Sequence, residues 1–386
     1  MKMNMKTIDL PGYCLALLVV LSGCTRGETE LPPEPEELTA VHFAAPELPV
    51  TVLTRAGDTG TEAEPLPEGT TLRLRAYRRS AAAPEVEVDF ATADPEAELT
   101  CRVGVDGMPV AWEVTDAGQP TGTAGTGEIM YLRKGIYDFY AVSPAIRPVK
   151  TDGNWRIEGL GHRTDVMTSS RMGVTVGDTS PDPVVLDPFI RRCAQVVFTV
   201  KPDFWATDIY TLKGTSLYLQ RLSCAPAVLP VAKDGSIVPS YSSDPEEESA
   251  TLDFKKKDFM ELEPPEVTSN KTKAVILPKA KAPFDITIGV ERNGERATLY
   301  ATLDNITFEA GNSYVFTLTV TGASSGTLDL RIFSWERIRF YDNQVGTPSL
   351  PGLDPGDPDI NTGVGTGGII TEWKSIRWED NNVGGK

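Results

Sequence analysis

Few residues in this chain are placed to carry chemistry, and the first is Cys24. It closes the run Leu21-Ser22-Gly23-Cys24, after a basic start at Lys2 and Lys6 and a short apolar stretch, Cys14–Leu21. An apolar stretch this short is a cleavable export signal and does not span a bilayer. Small residues ahead of a cysteine suit lipoprotein processing, in which the thiol is acylated and anchors the chain to a membrane. An ordinary secretory signal with a coincidental cysteine is the competing reading. The second chemical position is Arg55, in Thr54-Arg55-Ala56 ahead of a Gly-Asp-Thr-Gly-Thr loop. A basic residue in an exposed loop is open to proteolysis, unless it is simply a surface arginine.

Imidazole chemistry is limited to His42 and His162. A Ser-His-Asp triad or a histidine zinc site would have to be built around His162 almost alone. No acidic loop has the ligand spacing of a calcium site. The run Gly363–Gly368 follows a tether and precedes a strand, which is the wrong context for a dinucleotide loop. With the signal removed, Cys101, Cys193 and Cys224 remain, and an odd number gives no disulfide framework. We therefore expect no catalysis, no metal and no cofactor. The formal charge of −17 grows one unit more negative when Lys2, Lys6 and Asp9 leave with the signal. Such a surface repels nucleic acid and anionic lipid.

The elements that position these residues read as strands. After Cys24 the chain is acidic and Pro-rich, hence extended. Two strand-like runs, Leu38–Ala44 and Leu48–Thr54, flank Pro46. Alternation then sets Leu72, Leu74 and Ala76 against Arg73, Arg75 and Tyr77. Further strands are expected at Val86–Phe90, Leu99–Val105, Val110–Val114, Glu128–Arg133 and Gly135–Ser143. A second series runs through Ala194–Val200, Ser216–Gln220, Ala274–Leu277, Phe284–Glu291, Ala297–Leu303 and Ser313–Thr321. No helical pattern intervenes, so the fold is all-β, with antiparallel sandwiches favoured over βαβ units. The length suits two domains, with an Asp/Pro-rich boundary around Gly177–Pro188.

One strand is written twice. The chain from Ile332 reads I-F-S-W-E-R-I-R-F-Y-D-N-Q-V-G, and from Ile370 it reads I-T-E-W-K-S-I-R-W-E-D-N-N-V-G. Residues 346–368 between the copies are Gly/Pro/Asp-rich and read as a tether. The second copy either pairs within its own chain or is donated to a neighbouring molecule by β-strand addition.

Several of these pieces, in this order, resemble the fimbrillin-like (type V pilin) lipoproteins of Bacteroidota. They are Cys24 with its acidic sequel, Val41-His42-Phe43 followed by Thr54-Arg55-Ala56, and Gly135-Ile-Tyr-Asp-Phe-Tyr-Ala-Val-Ser-Pro144. Val185-Leu186-Asp187-Pro188-Phe189 and Ala310-Gly311-Asn312-Ser313-Tyr314 complete the set. The resemblance implies two transthyretin-like antiparallel β-sandwich domains in tandem, exported as an outer-membrane lipoprotein to the cell surface. It further implies an Arg-specific surface protease as a partner, cutting after Arg55 and removing the leader strand that contains Val41, His42 and Phe43. Other copies of the chain, or related subunits, are the remaining partners, joined head to tail. The donor strand would then be carried by Ile369, Ile370, Trp373, Ile376 and Trp378. The implied divisions are a signal at 1–23, a leader at 24–55, sandwiches at 56–182 and 183–345, the tether at 346–368 and the donor at 369–386. Tip and anchor subunits share this pattern. The alternative is a surface lipoprotein that does not polymerise and binds a glycan or host protein, with Trp112, Trp155 or Trp205 stacking on sugars.

Overall fold

The structure is a computed structural model. It describes residues 37–54, 59–124, 130–179, 182–203, 209, 211–239, 250–261, 270–320, 326–335, 337–341 and 377–379. Among the described residues the helical content is one 3-10 turn, Lys256–Asp258, and the fold is all-β.

The first half is built on a seven-stranded antiparallel sheet. Its order is Ile190–Arg191, Met167–Val176, Gly135–Ser143, Thr71–Arg78, Ala97–Val103, Pro109–Val114 and Pro120–Ala124. The alternation in Thr71–Arg78 sends Leu72, Leu74 and Ala76 into one apolar cluster, with Tyr137, Phe139 and Ala141 from the neighbouring strand. The opposite face is also covered, since Tyr77, Tyr140 and Val142 belong to a second cluster. The strand keeps its period of two, and the polar side that advertises it in sequence, Arg73 and Arg75, is buried as well.

Val86–Phe90, expected as a strand, is irregular instead, with a bend at Val86 and a turn beginning at Phe90. The cause is Asp138, which is fully buried. Its carboxylate pairs with the Arg79 guanidinium at 2.8 Å and accepts the backbone N–H groups of Val88 and Gly173, each at 2.8 Å. The Val88 donor that a sheet neighbour needs is thus spent on a side chain, and Val86 projects into solvent. The expected strand at Leu99–Val105 ends at Val103, where a turn takes over and leaves Val105 exposed.

The second half has two five-stranded sheets. One runs Met260–Glu261, Asn270–Ile276, Ala194–Pro202, Asn312–Val320 and Gly326–Ser334; the other runs Ala250–Lys255, Leu212–Leu222, Lys279–Arg292, Glu295–Phe308 and Arg377–Glu379. Both sheets feed one cluster that includes Phe198, Leu219, Phe284, Phe308 and Phe316. Ala194–Pro202 pairs in parallel with Asn312–Val320, while the other ladders in these two sheets are antiparallel. Val184, Leu186 and Phe189 still pack in the first core, and sheet membership changes between Arg191 and Ala194. Between the halves lies a small sheet in which Asn154–Leu160 pairs with Ala227–Pro230. Cys101, Cys193 and Cys224 are free; burial pushes the first two thiols up to about 12, so both behave as small apolar groups.

Candidate functional site

Of the residues singled out in the sequence, Cys24, Arg55, Ile369, Ile370, Trp373 and Ile376 lie outside the described residues, as do the tether at 346–368 and Trp205. The leader strand and one piece of the second copy lie within them. Leu38–Val41 pairs antiparallel with Met130–Arg133, and the two form a sheet of their own. Alternation along this strand buries Val41 at 0 % exposure and Phe43 at 5 %, and leaves His42 in solvent. The Phe43 ring meets Phe139 edge to face, with centroids 5.4 Å apart. Beyond the strand, the backbone is held by a parallel bridge to Val184. Ala44 N–H donates to the Val184 carbonyl at 3.0 Å, and Val184 N–H donates to the His42 carbonyl at 2.8 Å.

The large sheet of the first half therefore has a lid assembled from short pieces. Val41 and Phe43 supply part of it, with Met130 and Leu132 from the adjoining strand and Val184, Leu186 and Phe189 from the segment that leads out of the domain. Burial of Val41 and Phe43 contributes about 1.5–3 kcal/mol each. The Thr39 hydroxyl ties the strand to the Gly177 carbonyl at 2.5 Å.

Sequence reasoning missed the part played by the run after Pro46. Glu47–Thr54 is sandwiched between two strands of different origin. On one side it pairs antiparallel with Thr59–Pro65, from Glu47 opposite Pro65 to Leu53 opposite Thr59. On the other it pairs in parallel with Arg337–Tyr341, from Val50 opposite Arg337 to Thr54 opposite Tyr341. That last strand belongs to the first copy of the repeated sequence. The signal was present in the alternation of Leu48 and Val50, but its partner lies almost the whole chain away. The leader thus occupies two separate places, one beside Met130–Arg133 and one between Thr59–Pro65 and Arg337–Tyr341.

The two copies go to different places as well. The first copy turns at Trp335, whose ring lies 4.2 Å from the Arg191 guanidinium carbon and whose backbone N–H donates to the Gly311 carbonyl at 2.6 Å. It then runs along the leader. From the second copy, Arg377–Glu379 adds to the sheet edge formed by Glu295–Phe308, with Trp378 opposite Leu299. The copies do not pair with each other among the described residues. The half-buried Trp112 ring is faced by the Arg102 guanidinium, whose carbon lies 5.3 Å from the ring centroid. Among the described residues no group of three or more His, Cys, Asp or Glu side chains is placed to hold a metal ion.

Comparison with known proteins fits this architecture. No curated protein sequence matches the chain. A solved structure of a candidate cell adhesion protein from Bacteroides fragilis superposes with a TM-score of 0.50 at 19 % identity, covering 80 % of this chain and 98 % of the other. Candidate cell adhesion proteins from Bacteroides ovatus and Bacteroides uniformis give TM-scores of 0.47 and 0.46, at 16 % and 14 % identity. They cover 76 % and 75 % of this chain, and 98 % of their own in each case. At 19 % identity the first of these is a likeness of fold. A family model described as fimbrillin-like matches residues 39–337, more than three quarters of the sequence. This chain belongs to the fimbrillin-like family.

Proposed function

We propose that the protein is a structural subunit of a cell-surface fimbria, built from two transthyretin-like sandwiches and supporting adhesion. It is exported as a lipoprotein acylated on Cys24, cut after Arg55 by an Arg-specific surface protease, and polymerised by donation of residues 369–386 to the next subunit. One observation carries the reading: the leader fills the core with Val41 and Phe43 while the chain holds a spare copy of a strand at its far end.

Loss of residues up to Arg55 opens an apolar trough beside Met130–Arg133 and a gap between Thr59–Pro65 and Arg337–Tyr341. Unpaired backbone and exposed apolar surface in one place drive association. A strand supplied from another copy satisfies both, and a head-to-tail contact of this kind extends into a filament. The leader acts as a plug until assembly.

A second reading, a tip or anchor subunit or a surface lipoprotein that never polymerises, is favoured by the pairing of Arg377–Glu379 with its own sheet. Among the described residues that ladder covers Arg377–Glu379. Before assembly it would serve to cap an edge that otherwise aggregates.

The test is deletion of Ile369–Lys386. The truncated chain is expected to remain a folded monomer that forms no filaments after trimming with trypsin, as seen by electron microscopy beside the intact protein. Filaments of normal length from the truncated chain would reject the donor role.

A further inference from the structure

On the first half, away from the leader, a cleft of about 480 Å³ opens between Arg75, Glu98, Asp116, Arg147, Lys150 and Trp155. That volume lies within the range of sites that enclose small molecules. The Arg75 guanidinium lines the cleft, and that of Arg73 lies behind Glu98; the two side chains are 4 % and 7 % exposed. They share one carboxylate: Arg73 pairs with Glu98 through Nη1, and the Arg75 Nε donates to Glu98 Oε2 at 2.7 Å. Arg73 spends its Nε on the Ala145 carbonyl. The Arg75 guanidinium also faces the buried Tyr77 hydroxyl, whose pKa burial raises and the Arg75 charge lowers in part.

At the rim the charges cancel in pairs. Arg147 meets Asp116 at 3.5 Å, and Lys150 meets Asp94 at 2.6 Å. Arg73, Arg75 and their shared partner Glu98 together leave one positive charge beside the cleft, in a chain whose net charge is −17. A buried charge without a full counter-charge is costly, and an anion in the cleft relieves it. Burial already pulls the Arg73 guanidinium below its ordinary value, against the opposing effect of Glu98.

The rest of the lining selects among anions. Trp155 presents a half-buried indole that lies 4.3 Å from the Arg75 guanidinium carbon, and its N–H donates to Asp94 Oδ1 at 3.2 Å. Pro95, Pro148 and the exposed Val149 add apolar surface beside it. The carboxylates of Glu98 and Asp116 are acceptors that a ligand's hydroxyl groups can fill. A phosphate dianion brings at most one such donor and exceeds the single spare charge. A hydroxylated ring with one carboxylate brings the donors, the single charge and an apolar face for the indole.

We propose that this cleft is a binding site for a carboxylate-bearing sugar. Uronic and sialic acids share that chemistry. The site stands apart from the assembly surfaces, so it is testable on unpolymerised protein.

The experiment is a titration of the full chain, ¹⁵N-labelled, with 3′-sialyllactose and with digalacturonate, followed by NMR of the Trp155 indole N–H. Lactose, inorganic phosphate and N-acetylalanine are the controls, and Trp155→Phe assigns the resonance. The expected result is a saturable shift with at least one of the two acidic sugars, which also tells which source of the carboxylate is preferred. Arg147→Glu, at an exposed rim position, is expected to weaken binding about tenfold, the usual scale for reversing one charge at a contact. Absence of a shift with both acidic sugars overturns the proposal. So does an equal shift with lactose, phosphate or N-acetylalanine, or unchanged affinity in Arg147→Glu.

Discussion

Phe43 shows what one leader side chain does for the fold. Its ring is 95 % removed from solvent and meets Phe139 edge to face, a geometry that adds to simple burial. Truncation to alanine leaves a void in a lid made of short pieces, and large-to-small changes of this kind cost about 3–5 kcal/mol. Urea unfolding of uncut Phe43→Ala protein is expected to show that loss at the first half. A change below about 1 kcal/mol, the scale of a surface substitution, means that the leader does not hold this core. The alternation Val41-His42-Phe43 was legible in sequence because only one of its faces is covered. Asp138 was not, since what it does depends on Arg79, Val88 and Gly173 arriving from elsewhere.

At the scale of elements, strands were readable wherever apolar residues alternate between turn signals, as in Thr71–Arg78 and Asn312–Val320. Pairing partners were not. Glu47–Thr54 runs beside Arg337–Tyr341 across most of the sequence, and local pattern carries no information about such a neighbour. This pairing changes what a cut at Arg55 is expected to do. The leader is held by a ladder at Leu38–Val41, by Val41 and Phe43 in the core, and by two ladders along Glu47–Thr54. Hydrolysis of one peptide bond removes none of these. A trimmed monomer is therefore expected to retain the leader peptide through gel filtration, detectable by mass spectrometry, and to lose it when filaments form. Arg55→Ala is expected to keep the leader covalently attached and to yield no shaft. Wild-type filament yield from Arg55→Ala places the chain among uncleaved, anchor-like subunits.

At the scale of the molecule, the junction between the halves is the part least legible in residue patterns and the part where pH acts. His162 was visible only as one of two histidines in a polar loop. In the fold it bridges the halves: its Nε2 donates to the Ser223 carbonyl at 2.9 Å, and its Nδ1 accepts the Leu277 N–H at 3.1 Å. Those two bonds require a neutral ring, because a proton on Nδ1 would face the Leu277 donor. Burial pulls the imidazole below its ordinary value, and the Ser223 carbonyl only partly offsets this. The unfolded chain takes up a proton near pH 6.5, while the folded chain resists until lower pH. The unfolded state then binds more protons across that window, so stability falls as pH falls through it. Asp165, half-buried beside Arg191, is shifted upward by loss of solvent and has the opposite sign, but its window opens from the carboxylate range. Between pH 7.5 and 5.5 the histidine should therefore set the slope at this junction. Thermal unfolding is expected to shift down over that interval in the native chain, and by less in His162→Asn, which cannot titrate. Parallel shifts in the two proteins mean that the junction is not held by a neutral imidazole.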